Sequence, residues 1–312
     1  MKKAIYIIIP MALFFSGCQK ETDSPQEEGP KEISIESSVK QLIVTEQSTS
    51  SIIIFDQPTR KELWRWSADA DSSMPASHCK WFDLPDEAKP VDNCSSILLT
   101  ASGGGVALVR ISDSKLLFYA HPSGNPHSAE ILPEGYIVVA SSTGNSLTVY
   151  KMDQSAIYVK EPACTATLED AHACVWDKKR QCLWTAGGQS LVRWGFSGGV
   201  LSEIESVSIP SLYAHDLIPV YGQDLLMLST GSNLYYFNPE TGIFSDVEGA
   251  SITANIKSIS TGPAGFTTIC TTPEESWYTR EVLSLFTGIR AFYLAEAEIY
   301  KARWRVNNDF SY

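Results

Sequence analysis

The sequence predicts an all-β protein, a six-bladed β-propeller closed by the C-terminal strand joining the N-terminal blade. Three observations carry this. A short phrase built on a basic residue recurs at His78, His127, His172, His215, Lys257 and Lys301, at spacings of 49, 45, 43, 42 and 44 residues. Most of these phrases are followed by further β-rich runs separated by turn formers, and four short strands per roughly 45 residues mark a propeller blade. The two ends are complementary: the N-terminal unit lacks a first strand, and the C-terminus supplies one with nothing after it.

The elements follow in order. The body opens at Leu42-Ile43-Val44-Thr45, in a second-strand position, followed by Ser51 to Phe55 and Glu62 to Ser67. The next blade begins with Ser77-His78-Cys79-Lys80-Trp81 and continues through Ile97 to Thr100, Val106 to Ile111 and Lys115 to Ala120. The third runs from Pro126-His127-Ser128-Ala129-Glu130 through Ile137 to Ala140 and Ser146 to Lys151, with Ala156 to Lys160 as its fourth strand. The fourth is Ala171 to Val175, Cys182 to Thr185, Ser190 to Phe196 and Leu201 to Val207. Ala214 to Ile218, Leu225 to Leu228 and Asn233 to Phe237 build the fifth; Ile256 to Ser260 and Phe266 to Ile269 start the sixth. Tyr300-Lys301-Ala302-Arg303-Trp304 then completes the first blade, and ring closure removes the edge a linear array would expose. No long amphipathic helical period competes with this reading. Gly103-Gly104-Gly105 reads as a tight strand connection with φ > 0.

The remaining segments set the address. Residues 1–17 read as a signal peptide: Lys2 and Lys3, an apolar run from Ala4 to Phe15, then Ser16-Gly17. The run is too short to span a bilayer. Phe15-Ser16-Gly17-Cys18 resembles the lipobox of bacterial lipoproteins, which implies an acylated Cys18 as the first mature residue and a membrane anchor of several chains. Residues 18–40 hold that cysteine and a tether rich in Ser, Glu and Pro, too polar to repay ordering. Gln19-Lys20-Glu21 with Asp23 is similar to the acidic export tags of some surface lipoproteins. The expected location is the cell envelope, periplasmic or surface-exposed at the outer membrane. The propeller spans 41–306, and 307–312 form a tail. The chain carries −12; losing residues 1–17, with two lysines and no acid, leaves −14. So acidic a body lacks the basic footprint that nucleic acid requires. Of six cysteines beyond Cys18, Cys79 and Cys94 flank the one long insertion and are candidates for a disulfide; six cysteines allow fifteen pairings, and the alternative is small buried thiols.

Two resemblances follow from particular residues. Asp56-Gln57-Pro58-Thr59-Arg60-Lys61-Glu62-Leu63-Trp64 and Asn238-Pro239-Glu240-Thr241-Gly242 resemble the hairpins of quinoprotein-like propellers, with Arg60 in place of the turn glycine. Ala101 to Arg110, Gly124 to Glu130, Ala140 to Asn145 and Tyr300 to Trp304 together resemble an uncharacterised family of secreted bacterial β-propellers, a domain of unknown function, over residues 41–306. That likeness implies the fold and export and no established reaction.

The first strand of each blade lines the central channel, so the repeated basic residues form a ring at one mouth: His78, His127, His172, His215, Lys257 and Lys301. Three readings stand. The side chains fix strand starts through backbone or water; or two lysines and readily protonated histidines bind an anion, an acidic glycan or other carboxylate; or adjacent imidazoles hold a metal. Two lysines in one ring argue against the last, so no metal ligand and no cofactor is assigned. The role expected is ligand recognition. A polysaccharide lyase or hydrolase using the same ring, and a protein scaffold using the outer faces, are the alternatives. Glu130, Asp170 and Asp216 lie beside ring histidines as candidate acids or bases. No nucleophile elbow, phosphate loop or zinc pair at helical spacing is present. Eight tryptophans, Trp64 and Trp66 on one face of a strand among them, serve either as sugar platforms or as packing between blades.

Overall fold

The computed structural model describes residues 40–274 and 276–311. Cys18, the signal segment and the tether before Lys40 lie outside them. Among the described residues no helix is long and apolar enough to cross a membrane.

Six four-stranded antiparallel sheets form a ring. The first holds β1 (Gln41–Glu46), β2 (Ser51–Asp56) and β3 (Lys61–Trp66). After a short helix, α1 (Ala76–Cys79), the second holds β4 (Pro85–Val91), β5 (Ser96–Ala101), β6 (Val106–Arg110) and β7 (Leu116–Ala120). The third is β8 (Pro126–Leu132), β9 (Tyr136–Ser141), β10 (Ser146–Lys151) and β11 (Cys164–Thr167). The fourth is β12 (Ala171–Asp177), β13 (Cys182–Gly187), β14 (Ser190–Ser197) and β15 (Val200–Ser208). The fifth is β16 (Asp216–Pro219), β17 (Leu226–Ser229), β18 (Leu234–Asn238) and β19 (Ile243–Asp246); the sixth is β20 (Ser258–Ser260), β21 (Ile269–Thr271), β22 (Glu281–Ser284) and β23 (Arg290–Tyr293). The last strand, β24 (Ile299–Trp304), pairs with β1, with Leu42 opposite Trp304 and Val44 opposite Ala302. The innermost strands touch in sequence around the axis, and β24 touches β4, so the ring is closed by the chain's own end.

Side-chain direction follows the strand period, and both faces of β24 are buried. Trp304 packs with Leu42, Phe55 and Phe292 between blades, while Arg303 and Arg305 on its flanks turn the other way. Trp66, Trp176, Trp184, Trp194 and Trp304 are core residues, and among the tryptophans only Trp277 is strongly exposed. Packing between blades is therefore what most of them do. The hairpin after β2 closes with Arg60 N–H donating to Asp56 O at 2.8 Å and Arg60 at φ 60°; Gly242 closes its counterpart on Asn238 O at 2.8 Å with φ 69°. A side chain thus occupies a left-handed position that glycine takes without strain. At Gly103 and Gly105 the demand is space instead: an added Cβ would lie 2.4 Å from Lys80 O and 2.8 Å from Trp81 O, while Gly104 carries the positive φ of 107°.

The second blade's first strand is β4, not the expected 77–81, which is helical, and two further segments depart from expectation. The fourth strand of the third blade is Cys164–Thr167, not 156–160. The earlier segment crosses to the neighbouring blade, where Tyr119 N–H donates to Ile157 O at 2.7 Å and Val159 N–H to Tyr119 O at 3.0 Å. It covers the open edge of β7, a use of the backbone that a β-rich pattern alone does not distinguish. The tail is docked: Ser311 Oγ donates to Glu130 at 3.0 Å, and Phe310 packs against the fourth and fifth blades.

All six described cysteines are free, which corrects the Cys79–Cys94 pairing. Cys79 ends α1, its thiol toward Ala68 O at 3.4 Å, beside the loop that packs on Gly103. Cys94 lies in the turn between β4 and β5. The two sit at opposite ends of β4, a span of about 20 Å at 3.3 Å per residue, well beyond disulfide reach.

Candidate functional site

The mouth is shaped by irregularities in the innermost strands. The β8–β9 register skips His127 between Pro126 and Ser128, and the β12–β13 register skips His172 between Ala171 and Ala173. Bulges of this kind re-aim one side chain out of the ladder. His215 and Lys257 hold the same place, one residue before the first paired position, with their amides donating to Ser229 O and Thr271 O, each at 2.9 Å. The matching bulge in the second blade leaves out Asp86, between Pro85 and Glu87.

The ring is therefore not the one the repeat predicts. His127, His172, His215 and Lys257 converge on one recess of about 350 Å³, together with Asp170 and Tyr300. His78 stands apart on α1, stacked on Trp81 at 3.7 Å with Nδ1 3.0 Å from Tyr119 OH. The phrase around it belongs to the insertion before β4, and its ring position is Asp86. Lys301 lies one residue past the ring position: with Glu46 opposite Ile299 and Val44 opposite Ala302, Tyr300 takes the place His127 holds in its own strand, and the fully buried Lys301 Nζ donates to Glu87 Oε2 and His127 O, each at 3.1 Å, and stands 3.6 Å from Asp216. Tyr300 faces the recess in its stead, its hydroxyl 3.0 Å from His215 Nε2.

Beneath the mouth the channel is filled by an ion network. Arg303 donates to Glu87 at 2.9 and 2.6 Å and to Asp216 at 2.6 and 2.7 Å, with all three side chains buried. Lys89 pairs with Glu130 at 3.2 Å. Glu130 and Asp216 are thus engaged in structural pairs, and Asp170 alone of the three candidate acids lies at the recess. Sequence reasoning missed Asp86, Glu87 and Lys89, which follow no recognisable phrase. Charged residues in a strand are ordinarily read as solvent-facing.

Electrostatics changes the reading of the histidines. Burial holds His127 and His215 well below the usual histidine range, and His172 adds to this in each case. Burial lowers His172 too, partly offset by Asp170. The imidazoles are neutral at neutral pH, so they do not form the cationic funnel expected of protonated histidines. Burial also lowers Lys257, with Lys301 contributing, and Lys257 makes no ion pair among the described residues.

The imidazoles have a common pattern. Nδ1 of His127 meets Asn125 O at 3.1 Å, and Nδ1 of His172 meets Asp170 O at 2.8 Å with the Asp170 carboxylate 3.3 Å away. Their Nε2 atoms have no hydrogen-bond partner among the described residues. In His215 it is Nδ1 that is buried and unpartnered. One nitrogen from each ring lies within 4.8 Å of the other two, a grouping that could hold a metal ion.

Asp86 behaves differently. Its carboxyl is fully buried, accepts from Ser102 Oγ at 2.8 Å, and is pushed up to about 8 by burial, with Glu87 adding to this and Lys301 opposing it. The folded state then holds a proton that the unfolded chain has already lost, so stability falls as pH rises from about 3.8 to about 8. Asp86→Asn is expected to raise the midpoint of thermal unfolding by an amount that grows across this window; a gain independent of pH would contradict the assignment.

The fold and mouth define a class, a closed six-bladed propeller with a histidine-lined recess at one end of a plugged channel. The chain belongs to the family of unknown function DUF6528, matched over residues 1–312. No curated protein matches it in sequence. Among solved structures it is similar to a protein of unknown function from Bacteroides caccae, at 12% identity and TM-score 0.56, covering 86% of this chain and 99% of that one. It is also similar to hydrazine synthase of Kuenenia stuttgartiensis, at 11% identity and TM-score 0.47 over 63% of this chain and 59% of that one. A dihydro-heme d1 dehydrogenase matches at 13% identity and TM-score 0.48, over 81% and 53%. The first of these supports the fold; the other two carry no argument.

Proposed function

We propose that this protein is an envelope lipoprotein, anchored through Cys18, whose propeller recognises an anionic ligand, an acidic glycan or glycan fragment, at the mouth lined by His127, His172, His215 and Lys257. One observation carries this reading: Lys257 presents an ammonium without an ion-pair partner among the described residues to a polar recess large enough for a sugar carboxylate. A half-buried cation in an otherwise acidic protein is a site that an anion completes. Neutral imidazoles beside it supply hydrogen bonds to sugar hydroxyls. The channel plug below argues for a blind site that captures a terminal residue.

A screen of acidic oligosaccharides by calorimetry tests the reading. The His127→Ala/His172→Ala double variant is expected to lose binding, and Lys257→Met to weaken acidic ligands while sparing neutral ones. Unchanged affinity in both would remove the proposal. New unsaturated or reducing ends during incubation would turn it toward catalysis. For the anchor, metabolic acylation should label the wild type and not Cys18→Ala.

A further inference from the structure

We infer that His127, His172 and His215 bind a divalent transition-metal ion of zinc character, and that its open coordination position, with Lys257, receives the anionic group of the ligand; the second half rests on the function proposed above. Buried polar side-chain atoms are for the most part hydrogen-bonded. Here each of three adjacent rings has one nitrogen engaged and one without a partner among the described residues. His127 and His172 both direct Nδ1 at the carbonyl two residues earlier, Asn125 O and Asp170 O. An Nδ1–H so held leaves the lone pair on Nε2, as in metal-binding histidines oriented by a carbonyl or carboxylate behind them. Asp170 supplies that carboxylate for His172, at 3.3 Å.

The spacing also fits. One nitrogen of each ring lies within 4.8 Å of one nitrogen of each of the other two. Zn–N bonds of about 2.0–2.1 Å in a tetrahedral shell place ligand nitrogens about 3.3 Å apart, so small side-chain rotations complete the shell. Three imidazoles without a carboxylate ligand select zinc, copper or nickel over magnesium or calcium. Lysine in the same ring is no obstacle, because Lys301 is committed to Glu87 and only Lys257 shares the recess. Three protein ligands leave a fourth position open, and a bound dication gives the mouth the positive charge that neutral histidines do not.

The test titrates the metal-stripped, detergent-solubilised full chain with Zn²⁺ by calorimetry and with Co²⁺ as an optical probe. Wild type is expected to take up one ion and to show the visible bands of tetrahedral cobalt. His172→Ala should weaken uptake by more than the 10–100-fold typical of removing an outer partner, and Asp170→Asn by about 10–100-fold. Asp170→Asn retains all three rings and carries the test if the histidine variant fails to fold. No uptake by wild type, or equal uptake by Asp170→Asn and His172→Ala, overturns the inference. An acidic trisaccharide that binds the stripped and loaded chains equally would overturn the metal's part and leave the recognition reading intact. Stoichiometric metal without trisaccharide binding would do the reverse.

Discussion

A chain ending at Glu298 is expected to show no cooperative unfolding transition and to aggregate. Removing β24 takes Ile299, Tyr300, Ala302 and Trp304 out of the core, leaves β1 as an open edge, and strips Lys301 and Arg303 from Glu87 and Asp216. Each large apolar side chain contributes about 1.5–3 kcal/mol on burial. An uncompensated buried charge costs about 3–5 kcal/mol. Together these reach the roughly 5–15 kcal/mol that holds a typical domain folded. Circular dichroism during heating, with size-exclusion chromatography, measures it. A truncated chain melting within a few degrees of the full one would show that ring closure is dispensable.

Arg303→Met is expected to destabilise by about 3–5 kcal/mol, more than any other single substitution considered. The guanidinium is the common partner of Glu87 and Asp216 at the channel centre, and without it both carboxylates are buried with only Lys301 between them. Denaturant unfolding should show a lower midpoint with an unchanged slope. The quadruple variant Arg303→Met/Lys301→Met/Glu87→Gln/Asp216→Asn should recover much of the loss, because it removes both cations together with the carboxylates they pair and leaves no uncompensated charge. A quadruple variant no more stable than the single one would locate the cost in packing instead.

The blade count, the closing strand and the alternation of Trp304 with its arginine neighbours were legible because each rests on a period. Repetition at roughly 45 residues exposes blades, and a strand's period of two separates faces. What the pattern could not carry is local departure from it. The bulges that expel His127 and His172 from their ladders have no sequence signal of their own. Asp86 takes the ring place that His78 mimics because the insertion carrying α1 precedes the true first strand. Lys301 keeps the spacing of the repeat, but the irregular pairing of β24 gives the mouth position to Tyr300 and turns Lys301 inward to Glu87 and Asp216. Four of the six predicted ring residues, His127, His172, His215 and Lys257, do meet at one recess. The neutrality of the histidines depends on burial, which a list of residue types does not contain.

Diffraction from crystals of the zinc-loaded protein, recorded on both sides of the zinc absorption edge, tests the convergence of the three histidines most directly. One anomalous peak is predicted at the mouth, about 2.0–2.1 Å from a nitrogen of each of His127, His172 and His215. A mouth without a peak, or a peak confined to His78 beside Trp81, would contradict it.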